Sequence, residues 1–326
     1  MELYPLKFKP VYKERVWGGN KIEKILGRVK NSNKNIGESW ELSSVGGSLS
    51  VVSNGFLKGN NIQEIVEIYM GEIVGEKIYE KFGIEFPLLF KYIDSSELLS
   101  VQVHPDDATA MERHRAYGKT EMWYVLDADD DSQIYVGFNR EIDKEEFKTR
   151  VKNSTLLEVL NVEKVEKGDV YFLPSGRIHA LGKGLLIAEI QQTSDITYRI
   201  YDWGRENNPA TAREMHTQLA EDVIDYGYCE KYVTEYVPKQ NKPSELVKCP
   251  YFTTNLLSLT QKTERDYAAT DSFVVYMCID GQAELLCNNG VSENISRGET
   301  VLIPAVIDYV NINPRTDVKL IEVYIE

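Results

Sequence analysis

The sequence predicts a mainly β protein made of two related β-barrels with a small helical portion. Most of the chain consists of short apolar runs separated by Gly, Asn, Ser and Pro, which is typical of strands and turns. The segments Gly168–Pro174 and Gly298–Pro304 share one pattern: Gly, an acidic residue, four strand-like residues and Pro. This internal repeat favours two copies of one barrel module, and a chance match of a single hairpin is the alternative explanation.

The N-terminal part predicts strands first and helices second. Short runs such as Gly37–Ser43 and Leu49–Val52 are broken by turn residues, as expected for strands. Apolar residues then recur at helical spacing between Asn61 and Lys81. We expect one or two helices there, interrupted near Gly71 or Gly75.

The middle of the chain predicts strands with two further helices. Pro87–Asp94 and Leu98–His104 are expected to be strands, and a helix is expected to begin after Pro105. Glu121 opens the next apolar run, which we interpret as a strand. The charged stretch Ile142–Val162 has helical spacing and is predicted to be a helix.

The C-terminal part returns to strands and suggests a division into two domains. Strands are expected from Val165 through Leu185–Gln191, and a polar connecting region runs from Trp203 to about Ser244. From Tyr251 to Glu326 the sequence again consists of short strand-like runs separated by turn residues. We therefore predict a first domain over 1–240 and a second over 241–326, to which N-terminal strands can contribute.

Composition excludes several classes of partner. With 326 residues, 42% apolar and 27% charged, the chain is long enough for two domains with an ordinary core. Its 37 basic and 51 acidic residues give a net charge of −14, and no basic stripe offsets this charge. Nucleic acid and anionic membrane surfaces are therefore not expected partners. An anionic substrate requires basic residues gathered locally.

The cysteines and the N-terminus indicate a cytoplasmic protein. The four cysteines form no Cys-x-x-Cys pair, and we expect them to be reduced and mostly buried. The first residues lack the apolar segment of a signal peptide, and no apolar run is long enough to span a membrane.

Four side chains are candidates for a metal site. Gln102 and His104 are two residues apart, so on a strand they leave the same face. Glu121 begins another strand, and His179 follows the strand and turn that start at Gly168. One amide oxygen, one carboxylate and two imidazoles can hold one divalent cation and leave a coordination position open. The second repeat has Val306 and Tyr309 where the first has Gly176 and His179, so we expect no metal there.

The spacing around these residues resembles a known family. Gly168–His179 fits the second motif of the cupins, which are jelly-roll β-barrels: Gly, five residues, Pro, one residue, Gly, two residues, His. Together with Ser100–Asp106, Gly118–Tyr124 and Tyr198–Trp203, it resembles the type I mannose-6-phosphate isomerases, most closely their short bacterial branch. The resemblance covers most of residues 15–205, includes Gly37-Glu38-Ser39-Trp40, and fades after Trp203. It implies two cupin-like barrels.

The resemblance also implies roles for individual residues. The implied zinc ligands are Gln102, His104, Glu121 and His179. The implied catalytic residues are Arg199 and Lys119, of which Lys119 lines the substrate cleft. Ser100 matches a serine placed near the phosphate, and Lys91 and Asp202 look like further substrate-binding residues of the cleft. The helical region that supplies phosphate contacts in longer relatives is mostly missing here.

These residue types suit the reaction that the resemblance implies, the interconversion of D-mannose 6-phosphate and D-fructose 6-phosphate. Aldose–ketose isomerisation moves a proton between C1 and C2 through an enediol, and a divalent cation stabilises the oxygens involved. Arg199 stays charged and adds electrostatic stabilisation. The base can be Lys119, an acidic residue or a metal-bound hydroxide. Zn²⁺ suits two nitrogen and two oxygen ligands, but Mn²⁺, Co²⁺ and Fe²⁺ also fit.

Other interpretations of the same residues remain. Another cupin metalloenzyme, acting on a different sugar phosphate or as an iron oxygenase, is one alternative, and a sugar-binding or regulatory cupin without turnover is another. Arg199 could be a structural ion-pair residue, and Lys91 could mark a strand end. His114 and His216 are expected on the surface, and the four tryptophans in the core. The only expected partner is a small sugar phosphate, and the chain is expected to be a monomer or homodimer.

Overall fold

The computed structural model describes residues 2–28 and 35–326, and strands dominate these residues. The strands are β1 Leu6–Lys9, β2 Val11–Gly19, β3 Ile36–Leu42, β4 Val51–Val52, β5 Leu88–Ser95, β6 Val101–Val103, β7 Glu121–Ala128, β8 Gln133–Phe138, β9 Leu160–Lys164, β10 Val170–Leu173, β11 His179–Leu181, β12 Leu185–Gln192, β13 Tyr198–Tyr201, β14 Ser244–Lys248, β15 Thr253–Leu259, β16 Thr263–Asp266, β17 Val274–Asp280, β18 Gln282–Cys287, β19 Ser292–Ser296, β20 Thr300–Ile303, β21 Tyr309–Pro314 and β22 Val318–Tyr324. The helices are α1 Lys21–Lys24, α2 Ile62–Tyr69, α3 Gly71–Val74, α4 Glu76–Phe82, α5 Asp107–His114, α6 Lys144–Lys152 and α7 Thr217–Ala220, with 3-10 turns at Leu156–Glu158 and Arg205–Asn207.

The first two sheets pack face to face and position the candidate site. A six-stranded antiparallel sheet has the order β10-β7-β12-β5-β2-β3, with β3 also paired to β5. A five-stranded sheet has the order β13-β6-β11-β8-β9. Apolar side chains from both sheets form one buried cluster, in which Trp123 and Val125 of β7 lie with Ile134 and Val136 of β8. Two packed antiparallel sheets are the jelly-roll arrangement that the sequence predicts.

The other two sheets repeat this arrangement. A seven-stranded sheet has the order β14-β15-β22-β17-β20-β1-β4, and a four-stranded sheet has the order β16-β21-β18-β19. Their shared core contains Val274 and Tyr276 from the larger sheet and Leu285 and Ile312 from the smaller one. The N-terminal strand β1 pairs with β20, with Leu6 opposite Leu302. N-terminal strands therefore contribute to the C-terminal sheet.

The helical portion is shorter than the sequence suggests. The predicted helix over 142–162 is wrong beyond Lys152, because Ser154 adopts a left-handed φ of 58° and the chain then forms a 3-10 turn and β9. The predicted helical stretch over 61–81 forms three helices, with breaks at Met70 and Gly75. Gly75 has a φ of +100°, and a Cβ there would lie 2.3 Å from the backbone oxygen of Asp271. Such a position requires glycine.

The four cysteines lie in different environments, and the helices are short. Cys278 and Cys287 are buried, Cys249 is half-buried, and Cys229 is exposed. All four are unpaired thiols. Among the helices within residues 2–28 and 35–326, none combines the length and the apolar character needed to cross a lipid bilayer.

Candidate metal centre

Three of the predicted ligands converge between the first two sheets. Nε2 of His104 lies 3.6 Å from Oε2 of Glu121, and Nε2 of His179 lies 3.3 Å from Oε1 of the same carboxylate. The potential ligand atoms of the three residues all lie within 4.8 Å of one another. All three side chains are buried.

Strand register explains why these side chains meet. In the five-stranded sheet, His179 on β11 lies directly opposite Gln102 on β6, so both side chains leave the same face. His104 follows β6, two residues beyond Gln102, and therefore shares that face. Glu121 is the first residue of β7 in the facing sheet, where it lies opposite Gln191 and Leu173.

The turn before His179 depends on glycine. Gly176 has a φ of +86°, and a Cβ at this position would lie 2.8 Å from the backbone oxygen of Val223. Its amide donates a hydrogen bond to the carbonyl oxygen of His104 (2.9 Å). The turn therefore ties the segment that carries one histidine to the other histidine.

The backbone fixes the orientation of both imidazoles. Nδ1 of His104 lies 2.8 Å from the carbonyl oxygen of Ile196, and Nδ1 of His179 lies 2.9 Å from that of Arg177. A carbonyl oxygen only accepts, so each Nδ1 carries the proton and each Nε2 keeps its lone pair. This arrangement is common for histidines that bind metals.

The facing atoms of these three residues make no hydrogen bond within the described residues, although Nζ of Lys119 lies near Oε2 of Glu121. Nε2 of His104, Nε2 of His179 and both carboxylate oxygens of Glu121 are buried and make no hydrogen bond. Buried polar atoms without a hydrogen bond are costly, and a group of them in one place indicates a binding site. The set of two imidazoles and one carboxylate fits a divalent cation.

Burial sets the protonation of these groups. Burial lowers the pKa of His179 to about 4 and lowers that of His104 well below its ordinary value, with a further contribution from the charge of Lys119 at His104. Both imidazoles are therefore neutral at neutral pH, as metal binding requires. Burial raises the pKa of Glu121 despite the nearby charge of Lys119. A cation between the three residues would favour the ionised carboxylate.

A cavity of about 570 Å³ adjoins this centre. Gln102 and Lys119 line it, together with Trp123, whose ring contacts that of His179. Nζ of Lys119 lies 3.3 Å from Oε2 of Glu121. The charged residues along the cavity wall are Lys13, Arg15, Lys91, Lys119, Arg199, Arg213, Glu38, Glu189 and Asp195.

One wall of the cavity is a buried charge network that includes Lys91. Nζ of Lys91 bonds to Oε1 of Glu189 (2.8 Å) and to Oε1 of Gln191 (2.5 Å). The indole of Trp123 donates to the other oxygen of Glu189 (2.8 Å). Burial opposes ionisation of Glu189, but the charges of Lys91 and Lys119 outweigh it and lower the pKa of Glu189. Sequence reasoning missed Glu189, and its signal was a single carboxylate inside the apolar strand β12.

Arg199 and Ser100 lie together on the cavity wall. Arg199 is opposite Gln102 in the β6–β13 pair. Its Nε donates to Oγ of Ser100 (3.2 Å), and its Nη1 donates to the carbonyl oxygen of Glu214 (2.7 Å). Within the described residues, no carboxylate forms an ion pair with Arg199. The structure thus brings Ser100, Gln102 and Arg199 to one face.

Asp202 lies behind this wall rather than on it. Its side chain is fully buried and accepts hydrogen bonds from Arg205 and Arg213. Burial would raise the pKa of Asp202, but these two arginines hold it below its ordinary value. Of these three residues, only Arg213 lines the cavity. Sequence reasoning missed Arg213, which follows in a polar segment without a recognisable motif.

The remaining aromatic and histidine predictions have mixed outcomes. His114 is exposed and bonds to the hydroxyl of Tyr198 (2.7 Å). The prediction that His216 is a surface residue is wrong, because His216 is half-buried and lines the cavity, where its backbone amide donates to the carbonyl oxygen of Arg199 (2.7 Å). Trp17, Trp40 and Trp123 are buried, whereas Trp203 is only partly buried.

Two family descriptions match the chain. Residues 5–164 match the catalytic domain of type I phosphomannose isomerase, and residues 242–325 match the cupin domain of mannose-6-phosphate isomerase. A probable mannose-6-phosphate isomerase of Bacillus subtilis, GmuF, is 35% identical over 93% of this chain and 94% of its own length. Mannose-6-phosphate isomerase ManA of the same organism is 33% identical, with the same coverage of both chains.

Solved structures of mannose-6-phosphate isomerases are also similar to this chain. A crystal structure of the mannose 6-phosphate isomerase from Bacillus subtilis superimposes with a TM-score of 0.88 and 30% identity, covering 98% of this chain and 99% of that one. A phosphomannose isomerase variant from Salmonella typhimurium has a TM-score of 0.80 at 17% identity over similar shares of both chains, which shows a shared fold. The resemblance predicted from the motifs is confirmed, and the chain belongs to the type I phosphomannose isomerases, a family of enzymes with a cupin fold.

Proposed function

We propose that this protein interconverts D-mannose 6-phosphate and D-fructose 6-phosphate by proton transfer through an enediol, using one bound zinc ion. The observation that carries the proposal is the group of ligand atoms without hydrogen bonds on His104, Glu121 and His179, next to a cavity whose wall contains six lysine and arginine side chains and three acidic ones. The names of the similar proteins point to the same reaction.

The proposed zinc ligands are His104, Glu121, His179 and Gln102. Gln102 lies opposite His179 and lines the cavity, so its amide oxygen is the natural fourth ligand. Two nitrogen and two oxygen ligands suit Zn²⁺. When bound, the ion would act as a Lewis acid on the carbonyl and hydroxyl oxygens of the open-chain sugar.

Arg199 is proposed to stabilise the negative charge that develops on the sugar oxygens. An arginine remains charged even where burial lowers its pKa, as it does for Arg199. Its bonds to Ser100 and to the carbonyl of Glu214 hold the guanidinium in place before substrate binds. Preorganised charge of this kind is usually a large part of enzymatic rate enhancement.

Lys119 is proposed to carry the proton between C1 and C2. It lines the cavity and lies within ion-pair distance of the ligand Glu121, so it is close to the carbon atoms of any sugar bound at the metal. Lys91 would act differently: its ammonium is committed to Glu189 and Gln191, and its proposed role is to hold that wall in shape and to present charge to the substrate.

The phosphate is proposed to lie at the Ser100 end of the cavity. Ser100 lies beside Arg199, on the side away from the metal ligands. Asp202 was expected to bind substrate, and we propose that its role is indirect, because its buried side chain lies behind the cavity wall. The proposal also includes a cytoplasmic location, which the four unpaired thiols support.

The proposed domain division follows the same reasoning. A catalytic domain over 1–240 would contain all the site residues named above, and a domain over 241–326 would carry no metal. In the parts of the chain that the structure describes, the one cluster of His, Cys, Asp and Glu arranged to hold an ion is that of His104, Glu121 and His179.

A coupled assay on purified protein tests this function. Zinc-loaded protein should convert mannose 6-phosphate to fructose 6-phosphate, and His179→Ala should lose metal and turnover together. A His179→Ala protein that keeps both its zinc and its activity would contradict the ligand assignment. Protein that binds zinc without any turnover would favour a sugar-binding cupin instead.

A further inference from the structure

We infer that Arg213 binds the phosphate group of the substrate and that Asp202 positions it for this purpose. This inference rests on the proposed function and deepens it, because it identifies the residue that selects phosphorylated over unphosphorylated sugars. Nothing in the sequence motifs pointed to Arg213. Its assignment comes from its contacts, its place on the cavity wall and the surrounding charges.

Asp202 holds Arg213 in one orientation. Nε of Arg213 donates to Oδ2 of Asp202 (3.0 Å), and Nη2 donates to Oδ1 (2.5 Å). This two-point contact fixes the plane of the guanidinium and uses only two of its five N–H donors. Nη1 has no hydrogen-bond partner within residues 2–28 and 35–326, and the side chain lines the cavity. Arg213 is therefore held in one orientation and has N–H groups left to donate to a ligand in the cavity.

The charges around Asp202 do not cancel. Arg199, Arg205 and Arg213 surround this single buried carboxylate, which leaves a local excess of positive charge in a chain whose net charge is −14. Burial, and then the charge of Arg213, lowers the pKa of Arg199, as expected for neighbouring like charges. A phosphate dianion at this point would relieve that repulsion.

The position of this excess charge fits the length of a hexose 6-phosphate. Strands β6 and β13 are antiparallel, and Arg199 lies opposite Gln102. The path along β6 from Gln102 to Ser100 therefore runs in the same direction as the path along β13 from Arg199 past Tyr201 to Asp202. Ser100 and Arg213, which Asp202 holds from behind the wall, therefore lie at the same end of the cavity. Two residues of a strand span about 7 Å, which is close to the length of the open six-carbon chain. A sugar with C1 and C2 at the metal would place its phosphate near Ser100 and Arg213.

The side chain of the neighbouring acid, Glu214, is mostly exposed to solvent. The carboxylate of Glu214 lies 3.7 Å from Nε2 of His216, and its side chain is 83% exposed. Only its backbone carbonyl contacts Arg199. Ser100, Arg199, Arg213 and His216 provide hydrogen-bond donors to the cavity lining, which also includes the carboxylate of Asp195, and these donors suit an anion.

Steady-state kinetics with matched variants test the inference. Arg213→Gln should raise KM for mannose 6-phosphate about tenfold to a hundredfold, as expected for the loss of a charge-assisted contact, while kcat changes by no more than about twofold. The inhibition constant of inorganic phosphate should rise in parallel. Arg213→Lys keeps the charge but loses the planar guanidinium. Its KM and its phosphate inhibition constant should lie between those of the unmodified protein and those of Arg213→Gln.

Arg205→Gln is the control. Arg205 also bonds to Asp202, through Nε and Nη2, but its other bond is to the carbonyl oxygen of Leu98 and it does not line the cavity. Its KM and phosphate inhibition should stay within about twofold of the unmodified protein. Asp202→Asn should raise KM in the unmodified background and have little further effect in Arg213→Gln, because a positioning residue acts through its partner.

The outcomes separate this inference from the proposed function. Absence of turnover in the unmodified protein contradicts the proposed function itself. An active protein whose Arg213→Gln and Arg213→Lys variants fold and keep the original KM and phosphate inhibition overturns the role of Arg213. Equal effects of Arg205→Gln and Arg213→Gln also overturn it, since they would reflect a general loss of positive charge.

Discussion

The ammonium of Lys119 lies 3.3 Å from the carboxylate of Glu121, two residues further along the chain. Lys119 thus contacts a candidate metal ligand and also lines the cavity in which a sugar would bind. Its neighbour Thr120 is held by Gln192, which accepts a hydrogen bond from the Thr120 amide (2.8 Å). The pair of Lys119 and Glu121 therefore connects the candidate metal centre to the cavity through a fixed backbone.

Replacing Lys119 with Met should remove the proposed base and keep most of the side-chain volume. We expect kcat to fall by about 100-fold to 10,000-fold, with zinc content unchanged, because the three buried ligands remain. Turnover measured beside metal analysis checks this expectation. A Lys119→Met protein with normal kcat would remove Lys119 from proton transfer and leave an acidic residue or a metal-bound hydroxide as the base.

Replacing Arg199 with Ala should affect the reaction more than the fold. Arg199 faces the cavity and pairs with no carboxylate within the described residues, so its loss leaves no buried charge unpaired. We expect unchanged zinc content, a similar unfolding midpoint and a fall in kcat of about 100-fold or more. If the rate stays within a few-fold of normal, Arg199 is a structural residue.

Replacing Gly176 with Ala should weaken the metal centre through the backbone. The added Cβ would lie 2.8 Å from the oxygen of Val223, at a φ of +86° that alanine rarely adopts. We expect a loss of about 1–3 kcal/mol in the free energy of unfolding and weaker zinc binding in a competition titration. Gly290→Ala is the control, because Gly290 has a similar φ of +81° with open space around it.

Glu41 should make stability depend on pH. Burial raises its pKa to about 7 from 4.5, despite the charge of Arg28 and a hydrogen bond from Ser39. Between these values the folded state keeps a proton that the unfolded state has lost, so stability falls as pH rises from about 4.5 to 7 and stays lower above that. Glu41→Gln should remove up to roughly 3 kcal/mol of this decrease.

Unfolding midpoints at pH 5 and pH 8 check this expectation. The difference between the two midpoints should be smaller in Glu41→Gln than in the unmodified protein. The exposed Glu145 provides a control, since Glu145→Gln should leave the difference unchanged. Equal differences in all three proteins would show that Glu41 is ionised in the folded state at both pH values.

The parts of the site that lie in short motifs were predictable from the sequence. His104 directly follows strand β6, His179 opens strand β11 after a turn, and Glu121 opens strand β7. The position of each of these residues is therefore determined by its own short segment. Strand periodicity also placed Gln102 on the face of His104. The mainly β class followed from the same short apolar runs and from the repeated Gly-to-Pro unit.

The parts that depend on contacts between distant segments were not predictable. In the sequence, Glu189 is a single carboxylate in an apolar strand. Only the pairing of β12 with β5 places Lys91 beside it. Arg213 lies in a polar segment whose path is set by packing against β13, and Asp202 became a buried partner of arginines rather than a cleft residue. The end of α6 was missed because apolar residues with helical spacing, such as Leu156, Leu157 and Leu160, continue past Ser154, whose left-handed conformation no sequence signal reveals.

The most direct test of the central claim is turnover of mannose 6-phosphate by one preparation in three states: zinc-loaded, treated with a chelator, and reloaded with zinc. We predict that fructose 6-phosphate forms in the first state, ceases to form in the second and forms again in the third. Turnover that persists in protein shown by metal analysis to be free of zinc and other divalent ions would contradict a metal-dependent isomerase at His104, Glu121 and His179.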